Sequence, residues 1–307
     1  MSAGDAIAAA KGGFARWRGE HQSAIRQLRL YAHLFRGSFS SMLGLGLVAG
    51  FLVLAAIGPY IVPYPADISG ALDLGHRLLP PSWQHLFGTD EMGADIFSRV
   101  IAATRTSLVI GLIITGVASL IGVPLGIVAA YRGGRVREAI MRLTDIFLSV
   151  PSLVLALAIV AALGAGIVNG IIALSVVWWP GYVRLIEAKA LAVKEELFVE
   201  AARSLGASRS RIIFRHLLPN CLSPLIVKAS MDMGNAILAA ASLGFIGLGA
   251  KPPAPEWGAM ISVARTYMPT WWWYAFFPGA FIYLTVLGFN LFGDGLRDVL
   301  DPKSNRG

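Results

Sequence analysis

The chain has 307 residues, of which 56% are hydrophobic and only 14% are charged, with a formal net charge of +8. A soluble domain typically carries about a quarter of charged residues, so this composition excludes an ordinary soluble protein and indicates an integral membrane protein. The single cysteine, Cys221, excludes an internal disulfide, and five scattered histidines do not favour a metal site. No Gly-rich loop ends in Gly-Lys-Ser or Gly-Lys-Thr, so we expect the chain not to bind ATP itself.

Residues 1–40 form a polar, basic segment with interleaved aromatic residues. We predict a cytoplasmic N-terminal tail that ends in a helix lying in the membrane interface. Basic and aromatic residues together also suggest a nucleic-acid site, but we disfavour that reading because an apolar run follows directly. This run, residues 41–62, has no charge over 22 residues and is long enough for one transmembrane helix.

Residues 63–105 carry acidic and basic side chains and predict an external segment, and an interfacial amphipathic helix is the alternative for its residues 85–99. Residues 106–130 are uncharged and predict a second span. Residues 131–142 hold four arginines and predict a short basic loop.

Residues 146–183 run for 38 residues without a charge, which is too long for one helix across a bilayer. Pro151, near the start, is expected to kink or break a helix. The glycines around Asn169 indicate a turn further along. We therefore divide this run into a third and a fourth span.

The segment 184–221 is a charged island between two long apolar regions. Its small and apolar residues recur at the spacing of one helical face, at Phe198, Ala201, Ala202 and Leu205. Gly206 can close this helix in left-handed geometry, and Ser208 can cap a second helix that stops near Pro219. The small alanines leave room for another surface to dock. The alternative is a basic amphipathic loop that rests on lipid headgroups.

Lys228 and Asp232 are the only charges between residues 222 and 250. They are four residues apart, so they share one helical face and can pair. Charges inside a membrane usually face a protein interior or a water-filled cavity, so the pair is a candidate for lining a transport pathway. A structural pair, with Lys228 reaching towards the cytoplasmic interface, is the alternative.

Residues 244–258 contain three prolines, which favour extended backbone and oppose helix. The last span is predicted at residues 266–293, where the aromatic run 271–274 is expected to anchor at the membrane interface. Residues 294–307 form a C-terminal tail.

The distribution of positive charge predicts the orientation. Residues 1–40, 131–145, 184–221 and 294–307 together hold 20 of the 26 lysines and arginines. The side of the membrane that collects this excess is the cytoplasmic side. We therefore predict six spans, with both termini and the segment 184–221 in the cytoplasm.

The segment 184–221 also carries a motif. Glu200-Ala201-Ala202, Gly206 and Leu218-Pro219 resemble the "EAA" loop of bacterial ABC importer permeases. His216 stands where that family usually has isoleucine. The sequence RHLLPN, at residues 215–220, is instead similar to the dipeptide/oligopeptide/nickel branch of the family.

Three further motifs resemble the same branch. Residues 85–99 resemble H-x-x-GTD-x-x-G-R-D-x-x-SR, with Ala94 in place of the usual arginine. Residues 244–258 are similar to FLGLG-x-x-PP-x-PEWG, although a rigid external loop without ligand contact is the alternative for them. Residues 290–298 resemble the C-terminal signature.

The chain is thus identified as a member of this family, of the second permease subunit type, over about residues 85–302. The resemblance implies an all-α polytopic membrane protein with six transmembrane helices and the ABC type I importer permease fold. Its parts would be the tail 1–40, the first helix and external segment 41–105, the permease core 106–293 with the coupling loop 184–221, and the tail 294–307. In that loop, the resemblance assigns ATPase docking to Glu200, Ala201, Ala202, Gly206, His216, Leu218 and Pro219.

The resemblance also implies partners in a bacterial inner membrane. These are a homologous permease that completes a heterodimer, two ABC ATPase subunits or domains that bind ATP and Mg²⁺, and an extracytoplasmic substrate-binding protein. Membrane lipid surrounds the spans, and no nucleic acid, metal or catalytic residue is expected on this chain. The imported solute would be a small peptide or a related compound.

Other functions stay open at this point. The same branch imports nickel chelates, glutathione, opines and some oligosaccharides. A secondary transporter or channel would favour buried ionisable residues near the bilayer midplane, and this chain offers only Lys228 and Asp232. A membrane enzyme would need a cluster of His, Asp or Glu at one depth, which the sequence does not suggest. Co-purification of ATPase subunits would separate these classes.

Overall fold

The computed structural model describes residues 33–251 and 253–300, which form helices joined by turns and irregular segments. Most of the predicted N-terminal tail, Pro252 of the three-proline segment and the end of the C-terminal tail lie outside these residues. The helices are α1 (Phe39–Ile61), α2 (Pro65–Ile68), α3 (Ile96–Arg132), α4 (Gly134–Leu148), α5 (Ser152–Leu163), α6 (Ile167–Lys194), α7 (Leu197–Ser204), α8 (Arg209–Ile212), α9 (Leu218–Phe245), α10 (Trp257–Ala264) and α11 (Trp272–Leu300).

Four of these helices, α1, α3, α6 and α11, are long and apolar enough to cross a membrane. α4 and α5 supply a fifth span if they are taken together, with a bend of 84° between them. α9 has 28 residues and is long enough for a sixth, although it carries Lys228 and Asp232. The all-α, polytopic prediction is therefore confirmed, and the helices are compatible with six spans.

The prediction of a loop at residues 131–142 is wrong, because these residues are mostly helical. α3 continues to Arg132, and after a turn at Gly133, with φ of +64°, α4 begins at Gly134. The arginines thus project from an amphipathic helix, which a charge count alone does not distinguish from a loop. Pro151 is the N-cap of α5, so the chain bends at this residue as predicted.

α3 is the helix on which the rest of the bundle packs, with α1, α6 and α9 as its neighbours. Its approach to α6 depends on glycine. A Cβ atom at Gly122 would lie 2.4 Å from the Tyr182 Cβ, and one at Gly126 would lie 2.8 Å from the Ile186 Cβ. These two helices can therefore pack at this distance only because neither glycine has a side chain.

The predicted external segment folds onto the start of α3 through buried polar groups. Asp95 is the N-cap of α3. Its carboxylate accepts hydrogen bonds from the backbone N–H and from the hydroxyl of Ser98. His85 Nδ1 lies 3.0 Å from the other Asp95 oxygen, Oδ1. The Arg99 guanidinium lies 3.2 Å from the Asp90 carboxylate. Burial raises the pKa of the Asp90 carboxyl, and the charge of Arg99 opposes this rise.

Ala94, which replaces the motif's usual arginine, lies inside this external segment. Only 1% of its surface is exposed, and its backbone N–H donates to the Asp90 carboxylate. The packing seen here leaves no space for a guanidinium in that position. The other motif residues thus hold the segment together without it.

The aromatic run at the start of α11 differs from the prediction of an interfacial anchor. Trp273 and Tyr274 are buried in the core, whereas Trp272 is half-exposed. The Tyr274 hydroxyl donates to Glu91 of the external segment. Because α11 begins under that segment, these two side chains are covered by protein and not by lipid headgroups.

Close packing of α1 on α11 generates a prediction. A Cβ atom at Gly44 would lie 2.5 Å from the backbone nitrogen of Phe292, whereas one at Gly46 would have no neighbour within 4 Å. Gly44→Val should therefore separate the two helices and destabilise the protein by about 1–3 kcal/mol, the usual cost of overpacking. Gly46→Val is the matched control and should leave stability unchanged. Thermal melting of the purified protein measures both, and equal melting temperatures would contradict this packing.

Candidate functional site

The segment between α6 and α9 folds as two short helices around a glycine turn. α7 ends at Ser204, and Gly206 follows with φ of +79°, the left-handed geometry that favours glycine. The Ser208 hydroxyl accepts a hydrogen bond from the backbone N–H of Arg211, so Ser208 caps α8. The local pattern of helix, turn and capped helix follows the sequence prediction.

The predicted end of the second helix near Pro219 is wrong. α8 runs directly into a π-helical turn, Ile213–Leu217, and then into α9, with Pro219 in the first turn of that helix. Proline is tolerated in a first turn, and the wider π turn precedes it. The loop is therefore continuous with the span that follows it.

Buried side chains fasten this loop to the helix bundle. Val199, Ile212 and Leu217 are buried against Ile186 and Ala190 of α6, in a cluster that also includes residues of α3. The Lys194 ammonium donates to the carbonyl of Ala130, at 3.2 Å, near the C-terminus of α3. A cation is favourable at that end of a helix. The loop is thus attached to the bundle along one side.

Other large apolar side chains of the loop are exposed. Leu197 is 80% exposed and Leu205 is 88% exposed. Phe198 and Phe214 are also exposed. Exposed apolar side chains of this size make the loop a candidate contact surface for another protein or for the membrane.

The motif residues of the loop divide between its two arms. Glu200, Ala201 and Ala202 lie on α7 before the Gly206 turn, with Glu200 and Ala201 exposed. His216, Leu218 and Pro219 lie on the return arm. The rings of Phe198 and His216 lie 5.9 Å apart, so the two arms meet at this point.

Lys228 and Asp232 lie on α9, on the face that lines a cleft of about 720 Å³. The Lys228 ammonium is 3.0 Å from the Asp232 carboxylate and 5.0 Å from the centre of the Tyr182 ring. The Lys228 side chain is 28% exposed and that of Asp232 is 10% exposed. The two charges therefore lie beside each other at the wall of an open space.

Two ion pairs that the sequence did not suggest tie α4 to α6. Arg137 Nε lies 2.5 Å from the carboxylate of Glu187, which is 5% exposed, and Arg184 pairs with Asp145. The members of each pair are far apart in the chain, so no helical spacing points to them. Elsewhere, no group of three or more His, Cys, Asp or Glu in the part of the chain that the structure describes could hold a metal ion.

The ion pair on α9 generates a prediction about folding. Lys228→Ala leaves the Asp232 carboxylate inside the protein without its cation, which should cost about 2 kcal/mol, less than a fully buried pair because Lys228 is partly exposed. Lys228→Gln combined with Asp232→Asn keeps a hydrogen-bonding pair at the same spacing and should fold normally. Membrane abundance and thermal melting measure this difference. A double variant as unstable as the single one would contradict it.

Comparison with known proteins is consistent with this architecture. Residues 122–306 match the family described as "Binding-protein-dependent transport system inner membrane component". The chain is 48% identical over 271 residues to a probable D,D-dipeptide transport system permease protein, DdpC, of Escherichia coli K12, covering 88% of this chain and 90% of the relative. It is 45% identical to a di/tripeptide transport system permease, DppC, of Pseudomonas aeruginosa, covering 84% of this chain and 87% of that protein.

A further relative is a glutathione transport system permease, GsiD, of Escherichia coli O6:K15:H31, which is 44% identical over 88% of each chain. Among solved structures, a chain of the MetNI methionine ABC transporter in an inward-facing conformation superposes with a TM-score of 0.54 at 20% identity. The match covers 65% of this chain and 95% of that chain, and it supports the fold. The chain therefore belongs to the binding-protein-dependent inner membrane transport components, and it is a permease subunit of an ABC importer.

Proposed function

We propose that the chain forms half of the transmembrane pathway of an ATP-driven importer of small peptides, and that a homologous permease forms the other half. The structure of the loop between α6 and α9 is the observation that supports this proposal most. The loop is anchored to the bundle by buried side chains, and it also presents exposed apolar residues. A lever between an ATPase and a membrane pathway needs both properties.

The exposed side of the loop is the surface for an ATPase subunit. Leu197 and Leu205 supply apolar area, Glu200 supplies a negative charge, and the small Ala201 lets a partner approach closely. Closure of two ATPase subunits on ATP and Mg²⁺ pulls the loop, and α6 and α9 move with it. This shift requires that the loop contacts the two ATPase states differently.

Peptides are the proposed cargo because the similar permeases described above serve D,D-dipeptides, di- and tripeptides and glutathione, which is itself a tripeptide. An extracytoplasmic binding protein delivers the peptide to the external side, which the segment between α1 and α3 covers. Nickel chelates, opines and oligosaccharides are alternative cargoes of such a permease. An ATP-independent secondary transporter is disfavoured because it would not need a docking surface on the loop.

A bacterial inner membrane is the proposed location, with both termini and the loop in the cytoplasm. The basic residues that support this orientation lie at the end of α3, on α4, on the last part of α6, on the loop, at the end of α11 and on the two tails.

The role of the loop generates a prediction at Gly206. A β-branched residue at φ of +79° is strained by about 1–2 kcal/mol, so Gly206→Val should change the angle between α7 and α8. A Cβ atom there meets nothing within 4 Å, so only the backbone angle is affected. Gly206→Asn is the matched control, since asparagine tolerates this geometry. We expect normal membrane levels for both, and loss of peptide uptake and of ATPase co-purification for Gly206→Val alone. Full peptide uptake by the Gly206→Val variant would contradict the proposed coupling role of the loop.

The orientation generates a second prediction. In a Cys221→Ser background, cysteines at Ser69 and Ala254 should react with a membrane-impermeant thiol reagent added to intact cells, because both lie in external segments. A cysteine at Ser208 should react only after the membrane is opened. Labelling of the Ser208 position in intact cells would reverse the proposed topology.

A further inference from the structure

The cleft beside Lys228 and Asp232 opens between α6, α9 and α11. Lys189 of α6 and Arg297 of α11 also line it, and Asn235 lies one turn beyond Asp232 on α9. Its remaining wall includes the first turn of α9 and the end of α11, which are the cytoplasmic ends of these helices in the proposed orientation. A space of about 720 Å³ with three cations and one carboxylate at its wall suits a small charged solute better than an apolar one.

Asp232 is the carboxylate of this wall, and its cation is close. The residue is 7% exposed, and its Oδ2 atom lies 3.0 Å from the Lys228 ammonium. The Lys228 side chain, which is 28% exposed, borders the open space. A charged ligand in the cleft therefore meets two opposite charges that lie side by side.

We propose that this cleft binds the charged ends of a short, unblocked peptide on its way to the cytoplasm. The peptide's α-ammonium group donates to Asp232, and its α-carboxylate binds the Lys228 ammonium, with Lys189 and Arg297 adding positive charge at the wall. The inference rests on the proposed function, because it takes the cargo to be a peptide.

The Lys228–Asp232 pair can open to bind a peptide and form again when the peptide leaves, so such a site binds its ligand without holding it tightly. Stranding either Lys228 or Asp232 would be costly, because each would lose its partner in a poorly hydrated place. A zwitterion replaces one ion pair by two, so neither charge is stranded while the peptide is bound. When the peptide leaves, the Lys228–Asp232 pair forms again. A transport site needs this balance between entry and release.

The test uses a thiol reporter in the cleft. Asn235→Cys in a Cys221→Ser background places an exposed thiol at the wall, and the complete complex is studied in inside-out vesicles from cells without the binding protein. Unblocked Ala-Ala is added from the cytoplasmic side with a water-soluble maleimide. Labelling should slow by about five-fold at about four times the dissociation constant, because the rate follows the free fraction of sites. N-acetyl-Ala-Ala-amide, which lacks both charges, should not protect.

Two controls make the outcome specific. Arg135→Cys on α4 lies outside the cleft and should be labelled at the same rate with and without peptide. The double variant Lys228→Gln with Asp232→Asn, which is expected to fold, should lose protection of the Asn235→Cys thiol. Equal protection by the two dipeptides, protection that persists in the double variant, or a thiol that never reacts from the cytoplasmic side would each overturn the proposal.

Two separate measurements distinguish the cleft site from the proposed function. Uptake of radiolabelled dipeptide by cells with the binding protein tests the function and does not use the thiol reporter. Normal uptake without protection in the vesicles removes the cleft site and leaves the importer intact. Absence of dipeptide uptake, with the complex assembled and its ATPase active, removes the peptide cargo on which the inference rests.

Discussion

Side chains satisfy backbone groups at both ends of α3, its own N-cap Asp95 at one end and Lys194 of α6 at the other, and the bundle packs along the helix between them. A helix of 37 residues is about 55 Å long, so α3 extends beyond a hydrocarbon core on both sides. Asp95 satisfies backbone N–H at one end, and Lys194 binds a carbonyl near the other. The N-terminal end of α3 is buried in protein, where an unpaired backbone N–H would be costly, so the Asp95 cap is important there.

This arrangement links the predicted external segment to the loop between α6 and α9 through one helix. The Trp257 indole of α10 donates to the carbonyl of Val100 of α3, at 3.0 Å, and joins the three-proline segment to the same end as Asp95. At the opposite end, the buried side chains of the loop share a cluster with α3 and α6. A force applied to the loop is thus transmitted to packed helices and not to a flexible connection.

The positions of α6 and α9 relate the loop to the cleft. α6 enters the loop, α9 leaves it through the π turn, and both helices line the space beside Lys228 and Asp232. The ion pairs of Arg137 with Glu187 and of Arg184 with Asp145 add α4 to the same unit. In the proposed mechanism, movement of the loop therefore changes two walls of the cleft at once. The Lys228–Asp232 pair would then respond to ATP-driven motion without direct contact between the two sites.

Local patterns in the sequence determined the membrane class, the positions of most spans, the bend at Pro151 and the glycine turn at Gly206. Each of these depends on apolar run length or on the backbone preference of one residue, so neighbours in the chain are sufficient to predict it. Only the tertiary structure decided that Trp273 is buried and that Glu187 pairs with Arg137, because these contacts join distant segments. The tertiary structure also decided that the Lys228–Asp232 pair borders a cleft. Helical spacing predicts that two charges share a face, but the packing of α6 and α11 against α9 decides what that face meets.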